Sequence, residues 1–179
     1  MVSNLLSEEY REQLEQIHSS TKWGATARGK WKQIVKIAES IEEINILDYG
    51  AGQGGFKKKL QEEIPNTYNV IEYEPGRKEL SASPEPQNYV ICIDVLEHVE
   101  PELVDNVLDD LKRVTLKRGF FTVSTRLAHR KLPDGRNAHL TVEPIEWWKD
   151  KINKRFNILK FASYENGGEF IVEAKDEEL

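Results

Sequence analysis

Apolar positions follow two periods along the chain, and the switches between them mark out its elements. Ser7-Glu8-Glu9 opens a helix running to about Ser19, with Tyr10, Leu14 and Ile17 on one stripe. Residues 20–29 read as a loop. Residues 30–40 read as a helix that gathers Trp31, Ile34, Val35, Ile37 and Ala38 on one side. The pattern then shortens to strand-like runs at 44–49, 68–73 and 89–93. Between them, 56–63 is helical and is stopped by Pro65-Asn66. Residues 101–114 form a helix with Leu103, Val104, Val107, Leu108 and Leu111 on its core side. A strand over 119–124 precedes a helix from Val142 to about Ile152, with Pro144 near its start. Two strands, 156–163 and 168–174, close the chain, and Asn166-Gly167 between them is a hairpin signal.

Strand–helix alternation ending in a hairpin predicts an α/β fold: a mostly parallel sheet with helices on both faces and a C-terminal antiparallel hairpin. Ligands of such sheets sit beyond the carboxyl ends of the strands, where the strand order reverses. The residues to weigh are therefore 48–55, Glu74, 94–98 and 124–139.

Gly50, Gly52 and Gly54 alternate directly after the first strand, and Gly55 follows. Missing side chains allow positive φ and close approach of a ligand, and the next helix offers N–H groups to a ligand's acidic part. Gly50-x-Gly52-x-x-Gly55 also fits the dinucleotide fingerprint. Asp48, two residues before Gly50, argues against a pyrophosphate and for an amine-bearing ligand.

Composition narrows the function classes. The 179 residues carry 25 Lys plus Arg against 31 Asp plus Glu, a formal charge of −6, which gives no general pull toward nucleic acid or anionic membrane. The single cysteine, Cys92, excludes an internal disulfide and a Cys-based zinc cluster and reads as an inert buried thiol. No apolar run reaches the ~18–20 residues of a membrane span. Residues 1–10 lack a basic region followed by an apolar stretch, so no secretion signal is expected. A cytoplasmic location follows as the expectation, host cytoplasm if the chain is phage-encoded.

Two segments carry a resemblance. Ile46-Leu47-Asp48-Tyr49-Gly50-Ala51-Gly52-Gln53-Gly54 resembles the first motif of class I S-adenosylmethionine-dependent methyltransferases. Ile91-Cys92-Ile93-Asp94-Val95-Leu96-Glu97-His98-Val99 resembles the fourth-strand motif of the same superfamily. The likeness spans about Trp23 to Glu173. It is nearest to small methyltransferase-domain proteins of phage and bacteria, of which Leu132-Pro133-Asp134-Gly135-Arg136-Asn137-Ala138-His139-Leu140 looks like a signature. The resemblance implies a Rossmann-like three-layer sandwich over 1–179, one methyltransferase-like domain with 1–43 as an N-terminal helical cap. It implies S-adenosylmethionine as cofactor. Asp48 and the backbone of Gly50, Ala51, Gly52 and Gly54 would hold its methionine portion. Glu74 would accept from the ribose hydroxyls, with Glu72 as a rival on the same side of the strand. Asp94 would lie beside the methionine portion or the transferring methyl, and Trp23 would lid the cofactor. One departure stands out. Only 75–88 separate Glu74 from Tyr89, too few for the usual helix and third strand. Most of that unit is expected to be missing, leaving six strands with 68–73 at an edge.

The implied chemistry is transfer of a methyl group to a small molecule. Alignment can supply much of the rate, and a base is needed only if the acceptor must lose a proton. His98 and His139 are the candidate bases, with Asp94 beside them. Arg126, Arg130, Arg136, Asn137 and His139 are candidate substrate contacts, because arginine forks suit a carboxylate or phosphate, and an anionic acceptor is expected. Asp134 could instead pair with one of these arginines and pin the loop. Lys112, Arg113, Lys117 and Arg118 belong to the sheet's amino end, away from the site. Of Trp147 and Trp148, one should pack on the sheet. No histidine pair has zinc-helix spacing; Asp94, Glu97 and His98 could hold a cation, but no metal is expected. Two other functions stay open. One is a nucleotide or nucleic-acid methyltransferase, although the sequence lacks the amino-group DNA enzyme motif at 94–97. The other is a cofactor-binding protein that transfers nothing.

Overall fold

The computed structural model describes residues 4–20 and 26–175. Helices are α1 (Glu8–Ser20), α2 (Thr26–Gly29), α3 (Trp31–Ser40), α4 (Gly55–Glu63), α5 (Val104–Val114) and α6 (Ile145–Asn153). Strands are β1 (Asn45–Tyr49), β2 (Asn69–Tyr73), β3 (Gln87–Ile93), β4 (Thr115–Ser124), β5 (Phe156–Tyr164) and β6 (Gly167–Ala174).

The six strands form one sheet in the order β2-β1-β3-β4-β6-β5. β2, β1, β3 and β4 are parallel; β6 runs antiparallel to both β4 and β5. Alternation along each strand divides the core between two faces. Ile46, Ile91, Ile93 and Phe120 pack with Ile34, Ala38, Phe56 and Leu60 of α3 and α4. Leu47, Val90, Cys92, Phe121 and Phe170 pack with Leu108 and Leu111 of α5 and Trp148 of α6. Phe121 and Phe156 meet edge to face at 5.3 Å, a geometry aromatic quadrupoles favour. The result is the expected three-layer sandwich, and Trp148 is the tryptophan buried against the sheet while Trp147 packs at its margin.

The segment after β2 is as short as its length requires. It holds a single 3₁₀ turn, Lys78–Leu80, before β3 begins, so β2 lies at an edge of the sheet. The stretch 1–43 divides in two. α3 is part of a sandwich layer, whereas α1 packs through Tyr10 and Ile17 on Leu132 and Ala138, over the strand ends.

Most boundaries shift by one to three residues, and three differences carry a physical reason or a new element. β4 begins at Thr115 rather than 119, because the Thr115 hydroxyl caps the Leu111 carbonyl (2.7 Å) and the chain passes straight from helix into pairing with Gln87. α6 begins at Ile145 rather than 142. Pro144 is extended (φ −57°, ψ 151°) and its carbonyl accepts from the Trp147 N–H, so it ends the loop instead of sitting inside the helix. The expected loop 20–29 contains the short helical turn α2.

Candidate active site

The strand order reverses between β1 and β3, and a cavity of about 280 Å³ opens there at the carboxyl ends. Its floor is Gly50, Gly52, Glu74, Asp94 and Glu97; its roof is Leu6, Tyr10, Leu14 and His18 of the N-terminal segment; its far wall is His98, Ser124, Arg126 and His139.

The glycine loop is held by its own bonds. Gly50 N–H and Ala51 N–H donate to the Tyr73 carbonyl (2.8 and 3.0 Å), and Gly54 N–H donates to the Ala51 carbonyl (2.9 Å). Gly50 has φ 84° and faces Val95, whose methyl a β-carbon would overlap. Gly54 is left-handed too, and a β-carbon there would overlap the Glu72 carboxylate.

Glu74 is buried at the end of β2. It accepts from Gly52 N–H and Gly76 N–H (both 2.9 Å), and His18 Nε2 lies 3.6 Å away. Burial opposes its ionisation, but His18 and the two N–H groups outweigh that and hold the carboxyl below its usual value. Asp48 is 2% exposed and pairs in register with Glu72. Burial, with Glu72 and Glu74 adding, pushes it up to about 8, and its Oδ2 has no hydrogen-bond partner among the described residues.

Asp94 leaves β3 with φ 53°. Its N–H and Oδ1 both bond the Thr122 hydroxyl (3.0 and 2.5 Å), which fixes the carboxylate at the cavity floor. The following 3₁₀ turn, Leu96–His98, turns Glu97 inward. Glu97 is wholly buried; Oε1 accepts from Ser124 N–H (3.0 Å), and Oε2 has no partner among the described residues. Burial, then Asp94, pushes its carboxyl up to about 8. His98 Nδ1 bonds the Ala138 carbonyl (2.7 Å) and His139 Nδ1 the Arg126 carbonyl (2.6 Å); the rings meet edge to face at 4.8 Å. Burial and His139 push His98 down to about 4, so at neutral pH the ring is uncharged and a weak proton acceptor.

The structure thus gathers Gly50, Gly52, Glu74, Asp94, His98, Arg126 and His139 around one cavity. Others it sets apart from the wall. Asp48 lies behind the glycine loop, and Ala51 and Gly54 shape that loop from outside the cavity. The expected substrate contacts Arg130, Arg136 and Asn137 also stand away from it. Arg136 is exposed and pairs with Asp134 (2.6 Å), the loop-pinning arrangement. Asn137 is spent on the backbone: its side chain bonds the Ala128 N–H and carbonyl and the His139 N–H (all 2.9 Å). Short loop bonds hold both residues. Trp23 lies outside the described residues. Sequence reasoning gave no site role to His18 or Tyr10. The signal was present, because both continue the Tyr10–Leu14 helical stripe that faces the cavity.

A family described as methyltransferase domain matches residues 23–163. Among curated proteins none is significantly similar in sequence. Solved structures share the fold. A Burkholderia thailandensis 1,6-didemethyltoxoflavin-N1-methyltransferase, bound to its substrate and S-adenosylhomocysteine, superposes with TM-score 0.59 at 14% identity over 98% of this chain and 94% of that one. The N-methyltransferase NodS from Bradyrhizobium japonicum WM9, in complex with S-adenosylhomocysteine, gives 0.58 at 13% identity over 93% and 99%. The magnesium protoporphyrin IX methyltransferase from Synechocystis PCC 6803, with bound S-adenosylhomocysteine, gives 0.54 at 12% identity over 94% and 95%. With that match over most of its length and the strand order of its sheet, the chain belongs to the methyltransferase domain family.

Proposed function

We propose that the chain is an S-adenosylmethionine-dependent methyltransferase acting on a small, anionic molecule. The observation that carries this reading is the cavity itself: at the switch point, floored by Glu74, Asp94 and Glu97, and roofed by α1. The carboxylates of Glu74 and Asp94 suit a ligand bearing sulfonium and ammonium charge, and they suit a pyrophosphate badly. S-adenosylmethionine supplies an activated methyl group when bound.

The chain's own residues do the rest. Gly52 and Gly76 fix the Glu74 carboxylate where ribose hydroxyls would donate to it, and His18 lies close enough to share it. The Thr122 hydroxyl holds Asp94 toward the donor's charged end. Arg126 stands on the opposite wall and gives an anionic acceptor its counter-charge. Helix α1 lies over one side of the cavity. This roof and the formal charge of −6 favour a small acceptor over a nucleic-acid strand.

Calorimetric titration with S-adenosylmethionine and S-adenosylhomocysteine, with NAD as control, tests the reading. Micromolar binding of both sulfur ligands, weakened at least tenfold by Glu74→Ala, is expected. Binding of NAD alone, or of none of the three, overturns it.

A further inference from the structure

One cluster in the cavity is left over when the cofactor contacts are assigned. Glu97, His98 and His139 each present a ligating atom, and the three atoms lie within 4.8 Å of one another. They come from two separate segments. The 3₁₀ turn after β3 delivers Glu97 and His98. The long loop between β4 and α6 delivers His139, and that loop is tied to the turn by Thr141 N–H on the Glu97 carbonyl (3.0 Å) and the Thr141 hydroxyl on the Val99 carbonyl (2.8 Å).

Two independent features show what the cluster is built to hold. The first is the pair of rings. A carbonyl oxygen only accepts, so Nδ1 of both His98 and His139 carries the proton and Nε2 carries the lone pair. Anchoring one ring nitrogen on a carbonyl is how metal-binding imidazoles are oriented. The second is Glu97. It is wholly buried, one oxygen is fixed by Ser124 N–H, and the other has no hydrogen-bond partner among the described residues. A buried carboxyl oxygen left bare is costly, and a cation bound there removes that cost.

We propose that Glu97, His98 and His139 bind a divalent first-row transition ion whose open coordination positions face the cavity and take an oxygen of the methyl acceptor. Two imidazoles and one carboxylate suit zinc, cobalt, manganese or iron better than magnesium or calcium, which prefer all-oxygen shells. Ligand atoms sharing a tetrahedral ion with ~2.0–2.2 Å bonds lie about 3.3 Å apart. The trio therefore has to draw inward by an ångström or so on loading, a movement open to the side chains of half-buried His98 and His139. Three protein ligands leave the fourth position for water or substrate. Because the site shares its cavity with Glu74 and Asp94, that position opens onto the same space as the cofactor contacts. The acceptor half of the proposal rests on the methyltransferase reading; the metal half stands without it.

The test uses untagged, chelator-stripped full-length protein and cobalt(II) chloride, read by its visible d–d absorption, with zinc chloride as competitor. Uptake of one equivalent, displaced by zinc, is expected. Glu97→Gln and His139→Ala should each weaken uptake by about 100-fold or more, while His129→Ala on the exposed loop leaves it unchanged. Thermal unfolding of each variant shows whether it is folded. Glu97→Gln keeps shape and polarity, so a folded variant is available even if His139→Ala is not. Acetohydroxamate, a small oxygen chelator, should shift the cobalt bands. No uptake by the wild type, or uptake unaffected by both substitutions, overturns the metal site; bands unmoved by acetohydroxamate overturn the open position. Titration of the metal-free protein with S-adenosylhomocysteine separates the two readings. If that ligand fails to bind while cobalt binds, the methyltransferase reading falls and the metal site stands.

Discussion

Asp48 offers the sharpest test of the electrostatics behind the glycine loop. It is 2% exposed, its Oδ2 has no partner, and burial with Glu72 and Glu74 beside it raises its carboxyl from 3.8 to about 8. The folded chain therefore holds a proton that the unfolded chain releases above pH 3.8. The stability this confers is complete below pH 3.8, falls as pH rises, and levels off above about 8. At about 1.4 kcal/mol per unit, the loss reaches roughly 4 kcal/mol at pH 7. Asp48→Asn cannot ionise. Its amide nitrogen replaces an oxygen without a partner, a pH-independent cost of about 1–3 kcal/mol. The variant should be less stable than wild type near pH 4 and more stable at pH 8, with the curves crossing at about pH 4.5–6. Urea unfolding at pH 5, 6.5 and 8 reads this directly. With m near 2 kcal/mol/M, the variant's midpoint should rise by ~2 M relative to wild type between pH 5 and 8. A midpoint difference that stays within about 0.3 M across that range would falsify the argument, and would mean that the folded protein carries Asp48 ionised and compensated.

Gly50→Ala forces a β-carbon into left-handed backbone and onto Val95. Strain and overpacking together cost about 2–5 kcal/mol, a drop of roughly 5–15 °C in Tm by calorimetry. Asn137→Ala removes three bonds that hold the Ala128 and His139 backbones. Cobalt affinity should fall ~10–100-fold, as for other residues that orient a ligand without touching the ion, with little change in Tm. Asn137→Asp should recover part of it, since a carboxylate can still accept from both N–H groups. His18→Ala takes away a partner of buried Glu74 and should cost about 1–2 kcal/mol. Glu74 is held below its usual value, so its contribution is present above that value and lost in acid. The gap between wild type and variant should therefore close as pH falls below about 4 in acid unfolding.

The sheet and its layers were legible because their signals are local. Alternation placed every strand, and the short interval 75–88 made a missing unit a matter of chain length alone. The glycine loop, Glu74 and Asp94 were legible because topology sends strand ends to one place. What alternation could not show was which loop side chains turn inward. Arg136 and His139 lie three residues apart in one polar loop and read alike, yet Asp134 captures the first on the surface while the Asn137 bond and the Arg126 carbonyl bring the second to the cavity. Glu97 was legible only as a possible cation ligand beside Asp94 and His98. In sequence it is a charged residue at a helix start, and only the fold shows it buried, with Ser124 N–H holding one oxygen and no described residue holding the other.

Helix α1 shows how the loss of one unit reorganises the rest. Its residues, with Ser7 just before it, reach both sides of the cavity. On one side His18 approaches Glu74, the Arg11 guanidinium donates to the Pro75 carbonyl (3.4 Å), and Leu14 packs so closely on Gly76 that a β-carbon there would collide with it. On the other side Gln13 donates to Asp134 (2.9 Å), and the Ser7 hydroxyl and N–H both bond Glu100 (2.6 and 2.7 Å). The segment after β2 is too short to wall its own side of the cavity, and α1 supplies that wall. The same helix clamps the loop that carries His139. A change in how α1 seats is thus felt at the Glu74 carboxylate and at the Glu97–His98–His139 cluster together. Deleting Glu8–Ser20 should therefore weaken S-adenosylhomocysteine binding and cobalt uptake in parallel, by about tenfold or more each if α1 contributes even ~1.4 kcal/mol of ordering to either. Loss of one with the other intact would mean that the two halves of the cavity are organised separately and that α1 is only a cover.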